Sequence, residues 1–148
     1  MSTVPVLIKL TTANEVTIGI ARLSIALLVI SPWIVGGLKS LSRSEWFALA
    51  IIGLVFAVHW LCYFASIKLA TPTIAAMAIS TYGVQYLVLA WLFNKEKFSA
   101  IDWLAIGMCF LGCMIVAPEW TLENQTTLGI LIGLFSALLY AILPLLHQ

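Results

Sequence analysis

A chain of 148 residues with 63% hydrophobic and 9% charged residues, and a mean hydropathy of +1.11, cannot cover its own surface in water. A soluble domain carries about a quarter charged residues. The net charge of +1 provides neither a basic face for nucleic acid nor an acidic tail, so the lipid bilayer is the expected partner and nucleic acid is excluded.

The opening MSTVPVLIKL lacks the basic start and small-residue cleavage pattern of a signal peptide. Residues 4–12 are apolar but too short to cross a bilayer, which takes roughly 20 residues, and they stop at Thr11-Thr12-Ala13-Asn14. They are expected to be the last turns of a helix whose beginning is absent, an interfacial segment being the alternative. The first span, 15–35, ends around Pro32-Trp33 and Gly36-Gly37. Its Arg22, about two turns inside, is read as snorkelling to the interface, with pairing to an anion on protein or substrate as the alternative. The second span is 45–67, and the third, 71–93, is opened by Pro72. The fourth, 101–117, is closed by Pro118, and the fifth, 127–146, carries Pro144 as a bend or stop. Helices are the expected element because lipid cannot satisfy free backbone groups, and no alternating strand pattern occurs. The fold expected is an all-α polytopic membrane protein: a bundle of about five transmembrane helices plus an N-terminal stub.

Charge in the connections sets the orientation. Residues 36–44 carry Lys39 and Arg43, and 94–100 carry Lys95 and Lys97. The opposite connections carry Lys68 alone, and residues 118–126 hold Glu119 and Glu123 without a base. By the positive-inside rule, loops 36–44 and 94–100 are cytoplasmic, and Trp33, Trp46, Trp91 and Trp103 flank them as interfacial anchors.

Few residues can do chemistry inside the membrane. Cys62, Cys109 and Cys113 lie in apolar runs without metal spacing, so no metal or other cofactor is expected. All six acidic residues (Glu15, Glu45, Glu96, Asp102, Glu119 and Glu123) fall at span ends or in loops. His59 interrupts the run FAVHWLCYFAS, and Cys62, Tyr63 and Ser66 follow at three, four and seven positions to make a polar stripe. With no second acid, base or nucleophile beside it, His59 does not indicate an enzyme. It either lines a pathway or is a neutral ring bonded to a neighbouring helix.

On the third span, Thr73, Ser80, Thr81 and Gln85 share one half of the helix, bordered by Tyr82 and Tyr86. Gln85 is read towards a cavity, because an amide has four hydrogen-bonding sites to satisfy. Ser80 and Thr81 lean towards interhelical bonding. Gly129, Gly133 and Ala137 form a small-residue face that tight helix packing explains fully, ending near Tyr140, a candidate pathway residue. Asn124-Gln125-Thr126 matches a glycosylation sequon but lies close to the next span, and no function is assigned to it.

Several stretches resemble the EamA domain of the drug/metabolite transporter superfamily. HWLCYFASIKLATPTIAAMAIST is similar to that family's third and fourth helices, and Ile20-Ala21-Arg22-Leu23 to the arginine-bearing second. LAWLFNKEKFSAIDWLAIGMCFLGCMIV resembles its signature of a Glu-Lys pair, here Glu96-Lys97, followed by a helix with Trp103, Gly107 and Gly112. GILIGLFSALLYAILPLLHQ resembles the helix that opens the second half. The likeness runs from about Val4 to His147, and departs where many relatives carry a mid-helix proline and this chain has Thr81-Tyr82-Gly83.

The resemblance implies part of a ten-helix inverted-repeat transporter. Residues 1–118 would be an incomplete first repeat, 119–126 an external loop, and 127–148 the first helix of a truncated second repeat. It implies a secondary carrier of a small metabolite, such as an amino acid or related compound, working by alternating access in a plasma membrane, a bacterial inner membrane being expected. His59, Tyr63, Thr81, Tyr82, Gln85 and Tyr140 would line the substrate path, while Gly107, Gly112, Gly129 and Gly133 serve helix packing. The absence of a mid-membrane carboxylate argues against the glutamate-based proton exchange of distant small multidrug relatives. The alternative is a truncated or split gene product without transport of its own, packed with a complementary half or a second copy, or inactive.

Overall fold

The structure, a computed structural model, describes residues 4–38, 41–95, 97–116, 121 and 123–146. Lys39, Glu96, Pro118, Glu119 and His147, all used above, lie outside the described residues. Seven helices and no strand occur among the described residues. They are α1 (Val4–Leu10), α2 (Glu15–Leu38), α3 (Arg43–Leu69), α4 (Pro72–Ser80), α5 (Tyr82–Asn94), α6 (Ala100–Val116) and α7 (Gln125–Leu146).

Short polar side chains start most of these helices. Asn14 Oδ1 accepts from the Thr17 amide at 2.8 Å, and Asn124 Oδ1 from the Thr126 amide at 2.9 Å. Ser42 caps α3, and Glu45 answers by accepting from the Ser42 amide at 2.7 Å, closing a capping box. Asp102 does the same for Ser99 at the start of α6, also at 2.7 Å. Thr71 caps α4, with Pro72 in the first turn, where its missing N–H costs nothing. Glu45 and Asp102 are thus helix-start groups at the membrane boundary, which is why the chain keeps acids there.

Among the described residues, four stretches are long and apolar enough to cross a membrane: Glu15–Ile34, Arg43–Leu69, Pro72–Asn94 and Gln125–Leu146. The other expected span, 101–117, reaches the edge of the described residues at Val116. The 17 residues of α6 rise about 25 Å, against a hydrocarbon core of about 30 Å. Span Pro72–Asn94 is not one continuous helix either. At Thr81, with φ −67° and ψ −11°, the hydroxyl donates to the Ala78 carbonyl at 2.7 Å and the amide bonds the same carbonyl at 3.3 Å. A threonine bonded back on its own turn competes with the regular ladder, so the interruption arises without a proline. Gly83 faces open space, with nothing within 4 Å of a Cβ built there, so close packing is not its reason. Pro144 does not end α7, which runs on to Leu146.

Helix α7 lies at the centre. α7 packs along α3, α4 and α5, while α1 and α2 lie on α3, and α6 packs mainly on α4 and α5 at the margin. Its sequence explains the position. A Cβ at Gly129 would stand 2.8 Å from Ala70 Cβ, and one at Gly133 would stand 2.7 Å from Ala78 Cβ and 2.8 Å from Ser66 Oγ. Ser66 uses the closeness by donating to the Gly129 carbonyl at 2.7 Å. By contrast, a Cβ at Gly107 or Gly112 would meet nothing within 4 Å. The outer helices turn apolar side chains outward as lipid requires, for instance Leu28 on α2 and Ile115 on α6.

Two lysines tie α1 to the turn between α3 and α4. Lys9 Nζ donates to the carbonyls of Lys68 (2.6 Å) and Ala70 (2.7 Å), and Lys68 Nζ donates to the Thr11 carbonyl. Each ammonium thus neutralises the orphan carbonyls at the other helix's C-terminal end. Beneath them Ile8 is buried against Phe64, Ile67 and Ala75. Lys9 therefore joins Lys68 at this end, and the charge bias becomes four against two. Lys9→Met is expected to raise hydrogen exchange in α1 roughly tenfold, the equivalent of about 1.4 kcal/mol of local opening. The amides of α7 should be unaffected.

Candidate functional site

The polar stripe on α3 meets α7. His59, 3% exposed, places Nδ1 2.9 Å from the Ser136 carbonyl and 3.0 Å from Ser136 Oγ. Ser136 Oγ in turn donates to the His59 carbonyl at 2.9 Å. With that hydroxyl proton committed, both Ser136 oxygens are left as acceptors, which assigns the ring proton to Nδ1 of a neutral imidazole. Nε2 makes no hydrogen bond among the described residues.

Aromatic rings extend the site away from Ser136. Tyr140 stacks on His59 at 4.9 Å and 28°, and Tyr82 of α5 meets Tyr140 edge-on at 5.0 Å and 76°. Both tyrosines are partly open, at 38% and 45% exposure. Ten residues separate His59 from the end of α3, ten separate Tyr82 from the start of α4, and fifteen separate Tyr140 from the start of α7. Counted from those ends at helical rise, His59 and Tyr82 lie about 15 Å in, near the middle of their spans, and Tyr140 about 23 Å in, past the middle of α7.

Gln85 lies beside them on α5. Its Nε2 donates to Thr81 Oγ1 at 3.0 Å and to the Leu134 carbonyl of α7 at 3.2 Å, whereas its buried Oε1 has no partner. Thr81 thereby joins the helix break to the amide. The structure brings His59, Tyr82 and Tyr140 together, with Thr81 and Gln85 on the adjoining turn. Tyr63 stands apart, half-buried, packed with Trp60 at 5.9 Å on another side of α3. Cys62 is half-buried between α3, α2 and α7 near Glu15 and Phe135. No group of three metal-ligating side chains occurs among the described residues.

Ser136 is the site residue that sequence reasoning missed. It adjoins the Gly129–Gly133–Ala137 face, and a serine one position off a small-residue face was the available signal. Arg22 is exposed on α2, and its guanidinium lies over the Trp60 ring at 4.6 Å and 5.7 Å from Phe64, a cation–π contact with α3.

Comparison with known proteins agrees with this architecture. Over 72 residues, 49% of this chain, it is 29% identical to a Sinorhizobium protein described as an uncharacterized transporter in the cobO 3' region. The aligned part is 51% of that relative, so the chain spans about half the length of the curated relative it matches. No solved structure matches it. A family model, the EamA-like transporter family, matches residues 1–117. With that match covering most of a chain built from apolar spanning helices, the protein belongs to the EamA-like transporter family and is an all-α, multi-pass integral membrane protein.

Proposed function

We propose that this chain forms part of a secondary carrier that moves a small metabolite, such as an amino acid or a related compound, by alternating access. The observation that carries the reading is the mid-span group His59–Tyr140–Tyr82 beside Gln85, whose Oε1 is buried without a partner. A buried amide oxygen left unpaired costs about 1–3 kcal/mol, which a substrate donor would relieve. His59 Nε2 offers a second free acceptor, and the two tyrosine faces suit an apolar or cationic part of a ligand. Inverted-repeat carriers hold their substrate near the bilayer midplane, the depth of these rings. In this reading residues 1–118 belong to one repeat and 127–148 begin the next. Loops 36–44 and 94–100 face the cytoplasm of a bacterial inner membrane.

Gln85→Leu tests it. A panel of labelled metabolites first identifies a transported compound in the native membrane. The substitution is then expected to cut its flux roughly tenfold, as loss of one buried hydrogen bond to substrate would, without reducing folded protein. Equal loss of protein and flux would make Gln85 interhelical glue and remove it from the pathway.

A second reading is supported by the open faces of Tyr82 and Tyr140: the chain would act only when packed with a complementary half or a second copy. Flux that appears only on co-expression with such a half would select it.

A further inference from the structure

On the side of α3 away from α7, a cleft of about 410 Å³ runs between α2 and α3, lined by Gly19, Leu23, Phe56, Trp60 and Phe64, with Arg22 in its wall. Arg22 is seven residues into α2, about 10 Å from its start, and the rings that hold its guanidinium lie about 8 and 13 Å from the end of α3. None of its N–H groups has an acceptor among the described residues, and no carboxylate faces it there. An intramembrane cation without a counter-charge is costly, and the aromatic contacts offset only part of that cost. What the cleft lacks is an anion. A planar guanidinium matches a carboxylate with two parallel hydrogen bonds, and the remaining walls are apolar and aromatic. Arg22 is exposed on α2, but its guanidinium is laid against the α3 rings that line the cleft, so a solute lying in the cleft suits it better than a headgroup at the boundary.

We propose that the α2–α3 cleft binds a small organic acid, with Arg22 taking its carboxylate and Phe56, Trp60 and Phe64 packing its apolar body. As a statement of the carrier's substrate class, this rests on the transporter reading. Trp60 also touches the His59 ring edge-on at 5.6 Å, so the cleft adjoins the mid-span group through one shared side chain.

The test is equilibrium binding of radiolabelled phenylacetate to the full chain in phosphatidylcholine nanodiscs, against its neutral isostere phenylacetamide. The acid is expected to bind at least about tenfold tighter, a difference worth one good charge-assisted contact. Arg22→Gln should abolish that preference, Arg22→Lys should keep part of it, and Trp60→Ala should weaken both compounds alike. Equal binding of acid and amide by the unaltered protein overturns the proposal whether or not any variant folds. So does an acid preference that survives Arg22→Gln. Nanodiscs containing phosphatidylglycerol separate the sources. Undiminished phenylacetate binding there supports a solute site, whereas displacement by the lipid, with lipid retention lost in Arg22→Gln, assigns Arg22 to a headgroup and overturns it. Binding in discs requires no transport. A carboxylate preference without flux in liposomes would retire the carrier reading and leave the site, while flux of a neutral solute without that preference would retire the site alone.

Discussion

Gly133→Ala is expected to destabilise the folded protein by about 1–3 kcal/mol, the usual cost of forcing a methyl group into a closed contact. The added carbon would sit 2.7 Å from Ala78 Cβ, which has no rotamer to change, and 2.8 Å from Ser66 Oγ. Ser66 could rotate away only by giving up its bond to the Gly129 carbonyl, so two contacts between α3 and α7 fail together. Against this stands a helix-propensity gain of up to about 1 kcal/mol for replacing an interior glycine. The clash outweighs that gain. At Gly107 the balance reverses, because the new methyl meets nothing, and Gly107→Ala should leave stability unchanged or raise it. Thermal unfolding in detergent, followed by size-exclusion recovery, measures both. A Gly133→Ala protein as stable as the parent would mean that α7 does not lie this close to α3 and α4.

His59 should matter in two separable ways. His59→Ala removes a buried ring and is expected to cost about 2–4 kcal/mol, in the range of large-to-small core substitutions. His59→Phe refills the space and keeps a face for Tyr140, losing only the bonds from Nδ1 to Ser136. Interhelical hydrogen bonds in membranes are worth roughly 0.6 kcal/mol on average, so this variant should stay folded. If Nε2 meets the substrate, His59→Phe will nevertheless lose transport. Near-parental flux in a folded His59→Phe protein would reduce the histidine to packing.

Helical spans were legible from apolar length. The caps emerged only with the structure, which uses Asn14, Ser42, Thr71 and Ser99 as caps at the starts of apolar runs. Which helix lies inside was not legible. Both α6 and α7 are strongly apolar and carry spaced glycines, yet of these only Gly129 and Gly133 meet a neighbour. Spacing along one helix reports a face, whereas the partner for that face is a property of the whole bundle. The same gap explains Ser136, which looks like any surface serine until His59 is brought to it from 77 residues away. It also explains the lysine pair, since neither Lys9 nor Lys68 signals that it will cap the other's helix. The break at Thr81 was obscured for a different reason. Proline is the conspicuous interrupter, and a hydroxyl turned back on its own carbonyl leaves little trace in sequence.

The central place of α7 has a consequence for biosynthesis. The ribosome completes α3, α4 and α5 well before α7 emerges, so Ser66, His59 and Gln85 enter the translocon before their acceptors at Gly129, Ser136 and Leu134 exist. Until then these groups must be solvated by the insertion channel, by a chaperone or by one another. α7, synthesised after its partners, therefore closes the interior they form, and a nascent chain stalled before residue 125 should remain at the insertion machinery instead of partitioning cleanly into lipid.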